Sequence, residues 1–275
     1  MPIAIIQARM SSSRLPGKVL LDLGGQPMLV RVVERTRRAR SLRRVVVATT
    51  TDPGDDPIAE LCAARGYDCY RGSLFDVLDR YYQAAGTYCA GTVVRITADC
   101  PVMDAEVVDA TVTALQFAGA DFAASRFPPP WGRTYPIGLD VEVATFAALE
   151  RAWKEADRPH QREHVMPYLY EDMQPDGDPF PHPDFPLTHA TLTPWKSPRG
   201  FRIIRLDHDP DYGRYRWTVD TPADLEALRR IYANFGNRDD FSWRNVVALY
   251  RARPELAAIN ATVQHKSLYD VDERV

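Results

Sequence analysis

Ile3-Ala4-Ile5-Ile6-Gln7-Ala8-Arg9-Met10-Ser11-Ser12-Ser13-Arg14-Leu15-Pro16-Gly17-Lys18 opens the chain and decides how the rest is read. Ile3 to Gln7 is a short apolar run of the kind a buried parallel strand makes. Behind it come three cations (Arg9, Arg14, Lys18), three serines and a glycine. A triphosphate calls for that combination, because hydroxyls and backbone N–H groups wrap its oxygens while fixed cations offset its charge. Ligands of parallel α/β sheets bind at the carboxyl ends of strands, where this loop falls. The loop matches neither GxxxxGK[ST] nor GxGxxG, so it supports neither a P-loop NTPase nor a dinucleotide-binding dehydrogenase. On composition alone, a solvated turn with incidental charge competes with the phosphate-binding reading.

Outward from this loop the pattern alternates. Met28 to Arg40 carries apolar residues at helical spacing, Val45 to Thr49 is a β-branched strand, and Pro57 to Arg65 reads as a helix. Phe75 to Ala85 suggests a third helix and Thr92 to Thr97 another strand, so the first half predicts a largely parallel sheet with helices on both faces. The texture changes after Phe127. Pro128 to Pro136 and Gln174 to Pro198 are rich in proline, which resists helix interiors and central strands, and both are read as loops. Between and after them, Gly138 to Val143 reads as a strand, Phe146 to Ala156 as a helix and Tyr215 to Val219 as a final strand. Thr221-Pro222-Ala223-Asp224 starts a helix, with Thr221 at the N-cap and Pro at N1. Trp243 to Arg251 reads as a helix near the end.

Composition excludes several classes of function. The net charge of −3 provides no global basic field for nucleic acid or an anionic membrane. Seven arginines lie between Arg31 and Arg44, but apolar residues keep helical spacing among them without aromatic stacking partners, which reads as a solvated amphipathic helix. No apolar run approaches the roughly 20 residues that span a bilayer. The four cysteines (Cys62, Cys69, Cys89, Cys100) form no CxxC pair and no disulfide framework. A cytoplasmic protein is expected.

Two acids complete the chemistry. Asp99 in Ile96-Thr97-Ala98-Asp99-Cys100-Pro101 lies just past a strand, at the same sheet edge as the first loop. Asp220 in Trp217-Thr218-Val219-Asp220 stands in the same relation to its own expected strand. Mg²⁺ takes one or two carboxylates and completes its shell with water and phosphate oxygens. Either acid can equally well cap the turn or helix that follows it.

At this point the residues carry a resemblance. IIQARMSSSRLPGKVL (5–20), RGS (71–73) with DVLDRY (76–81), RITADCP (95–101), YPIGLDVEV (135–143), REHVMPYLY (162–170) and YRWTVDTPADLE (215–226) succeed one another as in one family. The chain resembles the cytidylyltransferases grouped with the spore-coat polysaccharide biosynthesis proteins, relatives of CMP-Kdo synthetase and acylneuraminate cytidylyltransferase. The likeness runs from about residue 3 to about residue 235, and PELAAIN (254–260) fits the spore-coat group as well.

The resemblance implies a mixed, mostly parallel sheet flanked by helices, of the nucleotide-diphospho-sugar transferase type, with a small helical C-terminal extension. It implies a nucleotidyltransferase domain over 1–235, with a loop-rich acceptor and dimerisation segment over about 126–215, followed by the extension over 236–275. CTP, Mg²⁺, a small-molecule acceptor and a homodimer are the expected partners. The nucleotide is expected on Gln7, Ala8, Arg9, Ser12, Arg14, Lys18, Arg71, Ser73, Thr97 and Asp99. Arg14, Lys18 and Asp99 are the expected catalytic residues, and Asp99 and Asp220 the metal ligands. Ala98 stands where many members have Gly, and Met166 where Thr is common.

The acceptor side is read from residues alone. Asp140 and Glu142 alternate along one face of the expected strand, where they are placed to hydrogen-bond sugar hydroxyls. Arg162, Glu163 and His164 are placed to close over an acceptor, and Arg216 to pair with its carboxylate or phosphate. The same groups serve equally well as ordinary salt bridges. An acidic sugar, a sugar phosphate and a phosphonate all fit, and another NTP in place of CTP is the alternative nucleotide. Two rivals from other classes are a zinc peptidase, since His160-Gln161-Arg162-Glu163-His164 matches H-x-x-E-H, and a catalytically inactive binding homologue.

Overall fold

The computed structural model describes residues 1–182, 189–264 and 268–271. Ten strands form one mixed sheet: β1 (Pro2–Gln7), β2 (Arg44–Thr50), β3 (Asp68–Gly72), β4 (Thr92–Thr97), β5 (Phe122–Ala124), β6 (Glu142–Thr145), β7 (Gln174–Pro175), β8 (Phe180–Pro181), β9 (Ala190–Lys196) and β10 (Arg202–His208). Their order is β3-β2-β1-β4-β6-β5-β10-β9-β7, with β8 also paired to β9. The helices are α1 (Met28–Thr36), α2 (Asp56–Arg65), α3 (Val77–Thr87), α4 (Ala105–Phe117), α5 (Phe146–Glu155), α6 (Pro159–His164), α7 (Pro167–Tyr170), α8 (Pro222–Asn234), α9 (Trp243–Ala252) and α10 (Pro254–Ala258).

Strand β1 is central, parallel to β2 on one side and to β4 on the other. Its residues are apolar on both faces because both faces are covered. Ala4 and Ile6 join the core beneath α1 and α4, whereas Ile3 and Ile5 join the core beneath α3 and α5. Each fully buried Ile is worth about 1.5–3 kcal/mol relative to exposure.

Strand direction places the site. The carboxyl ends of β1, β2, β4 and β5 meet at one edge of the sheet. Strand β6 runs antiparallel to β4 and β5, with Glu142 opposite Arg95 and Ala124, so it begins at that edge. Residues 138–142 therefore arrive beside the loops after β1 and β4.

Three readings of the sequence are corrected. Tyr215–Val219 is not a ladder strand. It makes one parallel bridge, Ile137 with Arg216, and then turns to bond Asp99, Val219 N to Asp99 O at 2.8 Å. Arg216 to Val219 are all buried, with Trp217 and Val219 entering the core between loops. Gly138 makes the close approach possible: with φ of +102°, an added Cβ would lie 2.7 Å from the Trp217 carbonyl carbon. Second, Gln174–Pro198 is not all loop. Ala190–Lys196 is a strand that accommodates Pro194, and residues 183–188 of that stretch lie outside the described residues. Third, Arg31 and Arg35 are buried, not solvated. Arg31 bonds the carbonyls of Leu23 and Gly24 and the Asp239 carboxylate, and Arg35 bonds the carbonyls of Met103, Asp239 and Phe241. They bind the start of the C-terminal extension to the first helix. The helix α4 and the hairpin β9–β10 were not anticipated.

The start of α8 matches expectation and carries more than a cap. Asp224 at N3 is fully buried and accepts from Arg216 Nε at 2.7 Å, from the backbone N–H groups of Asp220 and Thr221, and from Asn260 Nδ2. Burial alone would raise its pKa, but Arg216 and Asn260 outweigh burial and hold the carboxyl below its ordinary value. Its stabilising effect is complete above the unfolded pKa of about 3.9 and is lost as pH falls through the lower folded value. Asp224→Ala leaves the buried Arg216 guanidinium with Asp220 alone and unpairs the Asp220 and Thr221 N–H groups, and is expected to lose about 3–5 kcal/mol by denaturant unfolding at pH 7. A loss below about 1 kcal/mol would contradict that role.

Candidate active site

A cleft of about 450 Å³ opens at the sheet edge where these strand ends converge. It falls within the size range of small-molecule sites. Lys18 is its centre. Gly17, with φ of +70°, ends the serine-rich loop and starts the single 3₁₀ turn that carries Lys18. The Lys18 ammonium donates to Asp99 Oδ2 at 2.7 Å, to Asp220 Oδ1 at 2.9 Å and to the Val219 carbonyl at 2.7 Å. Burial works against this charge, but Asp99 and Asp220 outweigh it and raise the lysine pKa above its ordinary value. The Asp220 carboxyl is likewise pushed up by burial and drawn down further by Lys18 and Arg14, with Arg216 contributing, so it stays well below the usual carboxylate range.

The two carboxylates are held from opposite sides. Thr97 Oγ1 bonds Asp99 Oδ1 at 2.5 Å, and Thr218 Oγ1 bonds the Asp99 carbonyl. Arg14 and Arg216 each pair with Asp220 Oδ2, at 2.9 and 2.7 Å. The expected nucleotide residues Gln7, Ala8, Arg9, Ser12, Arg14, Lys18, Thr97 and Asp99 all line the cleft, as does Asp220.

Arg71 and Ser73 are not among its lining residues. Arg71 bonds the carbonyls of Thr50 and Asp52 and pairs with Asp56, while the Ser73 hydroxyl accepts from Asp76 N. Ser73 shapes the turn after β3, and Arg71 the loop after β2. From that loop the buried Asp55 accepts from Met10 N at 2.6 Å, bracing the serine-rich segment. Only the tertiary fold relates Asp55 to Met10.

On the acceptor side, Asp140, Glu142, Glu163 and His164 line the cleft. Asp140 pairs with Arg133 at 2.7 Å, Glu142 with Arg95, and Glu163 with Arg9 at 3.7 Å. Arg162 and Arg216 do not line it: Arg162 pairs with Asp76, and Arg216 is committed to Asp220 and Asp224. Four lining arginines were missed, namely Arg80, Arg95, Arg126 and Arg133. Arg80 lies within DVLDRY, and its position one turn beyond the Asp76 cap was the available signal. Its Nε has no hydrogen-bond partner, and burial brings its pKa down to about 10.

The H-x-x-E-H pair separates. His160 Nε2 bonds Glu171, whereas His164 lines the cleft. Among the described residues no group of three or more His, Cys, Asp or Glu is placed to hold a metal. Zinc of the peptidase type needs three protein ligands, so that reading finds no support here. Asp99 and Asp220 fit a harder cation better, since both place an oxygen within 3 Å of one point, the Lys18 Nζ.

An open α/β sheet with a cationic serine-rich loop after its central strand and two carboxylates at the same edge defines a nucleotidyltransferase. A family model described as cytidylyltransferase matches residues 3–232, and the chain belongs to that family of CTP-dependent enzymes. The spore coat polysaccharide biosynthesis protein SpsF of Bacillus subtilis is 28% identical over 92% of this chain and 95% of its own. A 3-deoxy-manno-octulosonate cytidylyltransferase of Anaeromyxobacter dehalogenans is 30% identical over 83% of this chain and 96% of its own. A cytidylyltransferase structure from Leptospira borgpetersenii superposes with a TM-score of 0.80 at 29% identity, covering 96% of this chain and 99% of its own. No helix among the described residues is long and apolar enough to cross a membrane.

His164 has an electrostatic signature that can be measured. Burial, then Arg95 and Arg126, bring its pKa down to about 4. A histidine titrates near 6.5 when unfolded, so its neutral form favours the fold above that pH, and the benefit is lost as pH falls from 6.5 towards 4. An NMR titration of the His164 ring is expected to show no protonation at pH 6. A midpoint near 6.5 would refute the burial and charge assigned to it.

Proposed function

We propose that this chain transfers CMP from CTP to an acidic sugar or a sugar phosphate and releases pyrophosphate. The observation that carries the reading is the meeting of Lys18, Asp99 and Asp220 at one point of the cleft, with Arg9, Arg14 and Ser12 beside them. The phosphates would lie along the serine-rich loop, with Arg9, Arg14 and Lys18 offsetting their charge. Asp99 and Asp220 would hold Mg²⁺, which when bound supplies charge neutralisation to the phosphates. Beyond it, Arg95, Arg126 and Arg133 alternate with Asp140 and Glu142. Arginine suits a carboxylate or phosphate, and the acids suit hydroxyls. The Anaeromyxobacter relative, named for an octulosonate, supports an acidic sugar as the first class to try.

The acceptor oxygen attacks the α-phosphorus in line. One P–O bond forms, the α–β bridging bond breaks, and pyrophosphate carries the electron pair away. The acceptor proton, where there is one, passes to solvent. Little covalent work falls to the protein, so its contribution is orientation and charge. Arg14 and Lys18 stabilise charge on the departing pyrophosphate, and the acceptor-side arginines fix the attacking group.

Pyrophosphate release with each of the four NTPs and Mg²⁺, against acidic sugars and sugar phosphates, tests the reading. Release is expected with CTP and one acceptor, and Asp99→Ala should cut kcat/KM by about 10³-fold, roughly 4 kcal/mol. Turnover in Asp99→Ala equal to the parent at saturating Mg²⁺ would remove the role given to this carboxylate.

A further inference from the structure

Beyond residue 232, outside the family match, the described residues 260–264 and 268–270 meet the cleft and its surroundings. Four residues make these contacts. Asn260, 2% exposed, donates to the Arg216 carbonyl at 3.1 Å and to Asp224 Oδ1 at 2.8 Å, next to the Asp220 end of the cleft. The Gln264 carbonyl accepts from Arg14 Nη1 at 3.3 Å, over the serine-rich loop. Leu268 packs on the core beneath α3 and α5, and its backbone acts on His164 by raising the ring's pKa against the larger effect of burial. The Tyr269 ring meets His160 edge-on at 5.1 Å.

Two residues of this segment, Leu268 and Asp270, line the cleft itself. Both stand in a lining that also includes Arg95, Arg126, Glu163 and His164, the side assigned to the acceptor. His164 Nε2 has no hydrogen-bond partner. The segment thus adds an apolar contact and a carboxylate to a wall otherwise dominated by arginine–acid pairs.

We propose that residues 268–270 are specificity-determining: Leu268 and Asp270 form the acceptor-facing wall, and the segment keeps water from the α-phosphorus. The proposal rests on the functional reading above. Water competes with the acceptor for the same step: its oxygen attacks the α-phosphorus, the α–β bond breaks, and CMP, pyrophosphate and a proton result. A wall that closes over the acceptor and not over the nucleotide should affect acceptor binding and this side reaction, leaving CTP binding alone.

The test compares the full chain, Leu268→Ala, Asp270→Asn and a chain ending at Gln264, which retains Asn260 and Gln264 with their bonds. Leu268→Ala is expected to raise the acceptor KM about tenfold through lost apolar contact, with the KM for CTP within about twofold. Asp270→Asn should also raise the acceptor KM, and the shortened chain should form more CMP per transfer event. Unchanged acceptor KM and CMP ratio in all three variants would overturn the proposal. An NMR titration supplies a readout independent of turnover. His164 should move from about 4 towards 6.5 in the shortened chain as water reaches the ring, and an unmoved value overturns the contact. A wild-type chain that binds CTP yet transfers to no acceptor would defeat the functional reading, whereas a static His164 defeats only this one.

Discussion

Lys18 holds two distant parts of the chain in one place. Asp99 follows β4 and Asp220 precedes α8, and a buried ammonium bonds both, together with the Val219 carbonyl between them. Two carboxylates facing the same small space repel each other unless a cation stands between them. Lys18 is that cation, and its pKa is raised because Asp99 and Asp220 together outweigh burial. The surrounding structure serves this contact. Gly138 lets residues 137–138 press against Trp217, and the Asp224 network fixes Arg216 behind Asp220.

The sheet explains why phosphate-type and sugar-type groups share one cleft. The parallel strands deliver the serine-rich loop, Thr97 and Asp99 to one edge, as parallel α/β sheets do. The reversed strand β6 then brings Asp140 and Glu142 to the same edge, and the segment after β5 brings Arg126. A purely parallel sheet would have carried residues 138–142 to the opposite end. The mixed topology is thus a condition of the site.

Much of this was legible in sequence, for identifiable reasons. Strand β4 was read at its observed bounds, and β1 and β2 nearly so, because buried β-branched runs bounded by polar loops leave few alternatives. The Thr221 cap was legible because capping chemistry is local. Tyr215–Val219 reads as a strand because it is a short buried run, and burial is all that such a run reports; the hydrogen bonds go to Ile137 and Asp99 instead. Arg31 and Arg35 looked solvated because their partners are backbone carbonyls, which no side-chain pattern reveals. The cleft-lining Arg80 comes from α3, Arg95 from β4, and Arg126 and Arg133 from the segment between β5 and β6, so only the fold unites them. Asp140 and Glu142 were legible as acids two residues apart, although the strand expected over Gly138–Val143 begins only at Glu142 and Asp140 lies in the loop before it; Arg71 and Arg162 were drawn in by neighbouring motifs and turn to other carboxylates.

The central claim is that the carboxylate pair gathered around Lys18 receives a divalent cation together with the nucleotide. Manganese is a spectroscopic stand-in for magnesium, and the fraction bound is read directly from its electron paramagnetic resonance signal. With CTP present, the wild-type chain is expected to bind Mn²⁺, and Asp99→Asn and Asp220→Asn should each weaken binding by at least about tenfold, one carboxylate–metal contact being worth more than 1.4 kcal/mol. Equal Mn²⁺ affinity in all three proteins would contradict the claim and leave the carboxylates as partners of Lys18 alone.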